Sequence, residues 1–192
     1  MKFDNSAMRP AILSSAALVL SLISAWSHGA DFRDASWGMS LSDITTLHEN
    51  QVPADRRIGY IAFDGKLAGM DVYVFYRFDE EGALFQAGYE ILTDEDDTRS
   101  AVSAYERLNG LLRQRYPESA EPGQIWRNKL FEAKPDEWGR AVRIGHMSYA
   151  WTHNVPRTSI THTLSGNRRE ISHKLLYEAA IEEADQGVLD QL

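Results

Sequence analysis

Apolar residues recur at every second position through six segments of this chain, and that period commits most of it to β-strands with one greasy side each. Ala68–Phe78 carries Met70, Val72, Val74, Tyr76 and Phe78 on one face, with Asp71 and Arg77 on the other. Leu84–Leu92 groups Phe85, Ala87, Tyr89 and Ile91. His146–His153 alternates through Met147, Tyr149 and Trp151, and Arg157–Leu164 through Ile160, His162 and Leu164. Arg169–Tyr177 alternates through Ile171, His173, Leu175 and Tyr177. Arg57–Phe63 is the remaining strand, and the Asp64-Gly65 behind it is a strong hairpin-turn signal. With Asp79-Glu80-Glu81-Gly82 as the next turn, Tyr76 is expected opposite Phe85 and Val74 opposite Ala87, so both apolar faces point the same way.

Helices are expected between these strand groups. Ser40 is a good N-cap, with Asp43 placed to close a capping box, for a helix from Leu41 to about His48. Thr93, with Asp96 closing its box, opens a longer helix that runs to about Tyr116 and stops before Pro117. Its apolar stripe is Val102, Tyr105, Leu108, Leu112 and Tyr116. A short apolar piece follows at Ile125-Trp126, then a helical turn within Asp136–Gly145, and a terminal helix at Ala179–Asp185. The order is helix plus three strands, twice. The pattern predicts an α+β fold of two helix-plus-antiparallel-meander halves, residues 31–93 and 94–192, with helices packed on one sheet face. Both halves are read as one domain, 31–192.

Residues 1–30 read as an export signal. Lys2 and Arg9 precede the apolar run Ala11–Ile23, which is shorter than the roughly 20 residues a membrane span needs. Ala25-Trp26-Ser27 fits cleavage after Ser27, and His28-Gly29-Ala30 a later cut after Ala30. The expected location is the periplasm or the outside of a bacterial cell. The chain has 192 residues, no cysteine and a formal net charge of −8. Loss of Lys2, Arg9 and Asp4 would remove a net +1 and leave about −9. So acidic a protein is repelled by phosphate backbones, which argues against nucleic acid as a partner. Without cysteine there is no disulfide, no thiolate metal site and no lipidated cysteine.

The opening Phe32-Arg33-Asp34-Ala35-Ser36-Trp37-Gly38-Met39-Ser40-Leu41-Ser42-Asp43 resembles the start of a family of uncharacterised secreted bacterial proteins. Tyr105-Glu106 with Leu108, Leu112 and Tyr116, Ile125-Trp126 with Asn128, Asp136-Glu137-Trp138-Gly139, Gly145-His146, and Ser148-Tyr149 with Trp151 fit the same pattern. So does a C-terminal apolar strand ending in tyrosine, as at Tyr177. The chain departs from that pattern at Pro117, where the family has glycine. More distantly, the Gly-Met-Ser-x-x-Asp opening is similar to outer-membrane assembly small lipoproteins and to the secreted inhibitor protein of β-lactamases. That resemblance implies a helix-then-sheet module that acts by binding other proteins.

Candidate site residues are few. His153, His162 and His173 share one strand face by parity. With Gly166-Asn167 as a two-residue turn, His162 pairs with Ile171 and Ile160 with His173. Three imidazoles on one face are a possible metal or ligand set, and equally a set of histidines hydrogen-bonded at a core edge. Trp138, beside Gly139 in a polar stretch, is the tryptophan expected at a contact surface. His48-Glu49 lacks the second histidine of a zinc-protease helix, and the acids Asp94–Asp97 lack the glycine and glutamate of a calcium loop. No nucleophile elbow, P-loop or dinucleotide fingerprint is present, and no cofactor is expected. The reading that follows is a non-enzymatic binding module for another envelope protein. A small-molecule or metal-ligand binder and an enzyme with a dispersed site are the alternatives.

Overall fold

The computed structural model describes residues 30–94, 97–119 and 121–180. Residues 1–29 of the export signal, Asp96 and residues 181–185 of the expected terminal helix lie outside the described residues; the expected start of that helix, Ala179, instead ends the last strand. Ser40 caps α1 (Leu41–Leu47) as expected: its hydroxyl accepts from the Asp43 N–H, and the Asp43 carboxylate accepts from the Ser40 N–H at 2.8 Å. Strands β1 (Asp55–Arg57), β2 (Tyr60–Leu67), β3 (Met70–Phe78) and β4 (Leu84–Ile91) follow. Next come α2 (Thr98–Arg115), β5 (Gly123–Trp126), two 3-10 turns at Lys129–Phe131 and Pro135–Glu137, and α3 (Trp138–Arg143). Strands β6 (Met147–Val155), β7 (Thr158–Gly166) and β8 (Ile171–Ala179) complete the chain. The cap of α2 is Asp97, whose side chain accepts from the Ser100 N–H at 3.0 Å, and not the expected Thr93. An Asp one residue before the helix satisfies an orphan N–H directly, so the helix starts later than the first capping candidate.

The two expected three-strand halves are corrected to one sheet of eight strands, order β1-β2-β3-β4-β8-β7-β6-β5, all neighbours antiparallel. Short strands too small to show a period, β1 and β5, cap its two edges. The last strands of the two groups, β4 and β8, join them through pairs such as Ala87↔Tyr177 and Tyr89↔Leu175. The helices lie on one face, as the shared apolar side requires. Ile44 of α1 and Leu108 and Leu112 of α2 join Phe63, Val74, Tyr76, Trp151 and Leu175 in the main core. Tyr105, Val142, Met147, Tyr149 and Leu164 form a second cluster under α2 and α3. The N-terminal segment is fastened across the sheet: Trp37 Nε1 donates to the Thr158 hydroxyl at 3.0 Å.

Three registers differ from expectation, each for a local reason. Asp64-Gly65 is not a turn but lies inside β2, opposite Tyr73 and Val72. A Cβ on Gly65 would come 2.8 Å from Val74 Cγ2, so glycine there serves close packing. The hairpin turns at Ala68-Gly69, where both residues have positive φ (50° and 81°) as a type I′ turn demands. At the next hairpin a bulge between Arg77 and Phe78 sets Tyr76 opposite Ala87 and Val74 opposite Tyr89. Leu84 thereby enters the core, while Phe85 is released to the other side. In the last hairpin Gly166 stays in the strand, pressed against the Val142 and Arg143 backbone. The loop is then residues 167–170, where the Asn167 carboxamide oxygen accepts from the Arg169 and Glu170 N–H groups. His162 consequently pairs with Leu175, and His173 with Leu164.

Candidate functional site

With alternate residues sunk under the helices, the intervening ones must face the helix-free side. On β2, β3, β4 and β8 these include Tyr60, Phe75, Arg77, Gln86, Gly88, Glu90, Lys174 and Leu176. Cross-strand pairs link them into one patch: Tyr60↔Arg77, Arg77↔Gln86, Phe75↔Gly88, Gly88↔Leu176 and Glu90↔Lys174. All of them but Gly88 line an open depression of about 560 Å³ together with Phe85, the residue released by the bulge. Phe75 is only 4% exposed although no helix covers it. Its shelter is the Tyr60 ring, stacked at 6.0 Å and 19°, and the missing side chain of Gly88, where a Cβ would meet Phe75 at 3.1 Å.

The rim is charged and orderly. Arg57 lies 4.6 Å over the Tyr60 ring and pairs with Asp55 at 2.9 Å. Arg77 sits 5.7 Å over the Phe85 ring and donates to the Gln86 carboxamide oxygen at 3.0 Å. Lys174 pairs with Glu90 at 3.6 Å. Of the charged residues lining the depression, Arg57, Arg77 and Lys174 outnumber Glu90, in a chain of net charge −8. Burial, with the Glu90 charge adding, raises the Tyr60 phenol above its ordinary range, so it stays a neutral hydrogen-bonding group.

The histidines sit elsewhere. His162 and His173 are fully buried on the helix side, their Nε2 atoms 2.9 Å apart. The Tyr105 ring stacks on His162 at 4.1 Å and 14°. Neither Nδ1 has a hydrogen-bond partner among the described residues. Burial drives both rings well below the ordinary histidine range, and for His162 the charge of His173 adds to it. His153 is half-buried two positions further along, against Tyr116 at 5.0 Å and Trp151 at 5.9 Å. Among the described residues no three His, Cys, Asp or Glu side chains are grouped to hold a metal ion. Trp138 is half-buried on α3, edge-on to Trp126 at 6.3 Å, and its Nε1 donates to the Glu132 carbonyl at 3.3 Å. It borders a second depression of about 520 Å³ between the start of α2 and α3.

No protein-family model, curated protein or solved structure matches this chain.

Sequence reasoning missed the aromatic depression because its members are the off-beat residues of four strands, brought together only by register. It also missed His48. The His48 ring stacks on Phe63 at 4.1 Å and 12°, and its Nε2 lies 2.8 Å from the Tyr76 hydroxyl. The two residues are 28 positions apart, on α1's C-cap and mid-β3, so no spacing announces them.

Proposed function

We propose that this protein is a non-enzymatic binding module of the bacterial envelope, and that the helix-free depression holds an extended acidic segment of another envelope protein. The observation that carries the reading is a floor of ring faces whose rim holds two balanced ion pairs, Arg57–Asp55 and Lys174–Glu90, and one cation, Arg77, with no ion-pair partner among the described residues, on an otherwise acidic chain. Apolar anchors ringed by polar groups are the anatomy of protein contact surfaces, where arginine and tyrosine are over-represented. A positive rim favours a negative segment and speeds its approach. Ring faces and fixed charges hold a partner rather than transform it. The similarity of the opening motif to modules that act by binding proteins supports the same reading, as does the export signal for the compartment.

Charge reversal tests it. Arg77→Glu is expected to abolish capture of a cross-linked envelope partner and to leave the melting temperature within a few degrees, because exposed charges contribute little to stability. Arg99→Glu, an exposed reversal at the far side on α2, is expected to leave capture unchanged. Equal capture by wild type and Arg77→Glu would overturn the proposal, and so would equal loss in both variants.

A further inference from the structure

A third, smaller cavity lies at the other side of the sheet, where the N-terminal turn meets the end of α1. It is about 130 Å³ and is bordered by Arg33, Asp34, Leu47, His48, Gln51 and Tyr76. That is well below the several hundred Å³ of a drug-sized pocket, and it suits a ligand of a few non-hydrogen atoms. The turn above it is built to deliver side chains. Phe32 and Ala35 are 3% and 1% exposed and close a two-residue loop, Phe32 N–H to Ala35 carbonyl at 3.0 Å and the reverse at 2.9 Å. Arg33 and Asp34 at its tip are thereby pushed out toward the cavity. Arg33 has φ 53°, a conformation glycine adopts freely and arginine adopts at a cost.

The polar groups inside are oriented. The Gln51 carboxamide oxygen lies 3.1 Å from His48 Nδ1, so that nitrogen carries the proton and donates. His48 Nε2 is then an acceptor, and the Tyr76 hydroxyl donates to it at 2.8 Å. Burial lowers the His48 proton affinity, which keeps this neutral arrangement in place. Two groups are left with capacity: the Gln51 amide NH₂ can donate, and the Tyr76 oxygen can accept. Neither Arg33 nor Asp34 enters a salt bridge among the described residues. The cavity therefore offers one cation with a donor and one anion with an acceptor. A plain anion would leave Asp34 repelling it, and a plain cation would leave Arg33 doing the same.

We infer that this cavity binds a small zwitterion of the α-amino-acid type, its carboxylate held by Arg33 and Gln51 and its ammonium by Asp34 and Tyr76. The site is separate from the aromatic depression, which Arg77→Glu addresses, so either can fail without the other. The test is titration of the purified protein with glycine and alanine, and in parallel with acetate and with methylammonium, by calorimetry. Saturable binding of glycine or alanine is expected, with acetate and methylammonium each about tenfold weaker or more. Arg33→Gly is expected to hold or raise the melting temperature, because glycine relaxes the turn, yet to weaken glycine binding about tenfold or more. Asp34→Asn is expected to weaken it likewise. Absence of saturable binding, acetate binding as tightly as glycine, or undiminished binding by Arg33→Gly would each overturn the inference.

Discussion

Lowering the pH from 7 to about 4.5 is expected to remove roughly 5 kcal/mol of folding stability through two residues alone, His162 and His173. Both rings are buried and neutral in the fold, and no carboxylate contributes to their titration. Unfolded, each recovers the ordinary histidine affinity near 6.5. The sign follows. Below pH 6.5 the unfolded chain binds protons that the folded chain refuses, so stability is intact above that pH and falls as the medium acidifies. Each ring contributes a slope of about 1.4 kcal/mol per pH unit until its folded-state affinity is reached. A loss of that size is a large share of the roughly 5–15 kcal/mol typical of a domain. Urea midpoints across the pH range measure it. His162→Leu with His173→Leu removes both titrating groups and both orphan Nδ1 atoms together, so between pH 6.5 and about 4.5 the double variant is expected to keep only the shallower slope of its carboxylates and of His48, whose proton affinity burial also lowers. An equally steep wild-type and double-variant profile would exclude the pair as the cause.

Gly88→Val is expected to cost about 3 kcal/mol, the upper end of what overpacking a filled site costs. Gly88 sits on β4 at its junction with β8, and a Cβ there would meet the Leu175 carbonyl oxygen at 2.4 Å, Phe75 at 3.1 Å and the Leu176 Cα at 3.2 Å. Two of those three atoms are backbone and cannot swing aside, so the strands that join the two halves must part. Gly110→Ala is the counterpart. Nothing lies within 4 Å of a Cβ at that helical position, and the substitution is expected to stabilise the protein by about 1 kcal/mol. Chemical denaturation of the two variants checks both signs, and a neutral Gly88→Val would mean that the junction is loose.

Reading the chain succeeded where the cause was local and failed where it was not. The capping box at Ser40 and Asp43 spans three residues and is visible in the sequence. The strand faces of β3, β6, β7 and β8 follow from parity, and parity also placed His162 and His173 side by side. Their contact survived a wrong register because the shift, from Ile171 to Leu175 as the partner of His162, is four residues: an even shift keeps the face and only changes which diagonal is used. The bulge at Arg77/Phe78 has no such signature, and it moved Phe85 from the core to the aromatic depression. Asp64-Gly65 carries a turn's residues without being a turn, because Val74 needs the space beside Gly65. β1 and β5, at three and four residues, are too short to show alternation, so the edges of the sheet were invisible. The cavity beneath Arg33 depends on a turn, a helix end and a mid-sheet tyrosine meeting in space, which no linear pattern records.

The most direct test is one comparison in cells that produce the protein: a photo-reactive side chain placed at Phe85, in the aromatic depression, against the same group at Leu111, exposed on α2 at 43%. Discrete adducts from the Phe85 position, lost when Arg77→Glu is added and absent from the Leu111 position, are the predicted result. Adducts that form at Leu111 and not at Phe85 would put the partner on the helices and contradict the account.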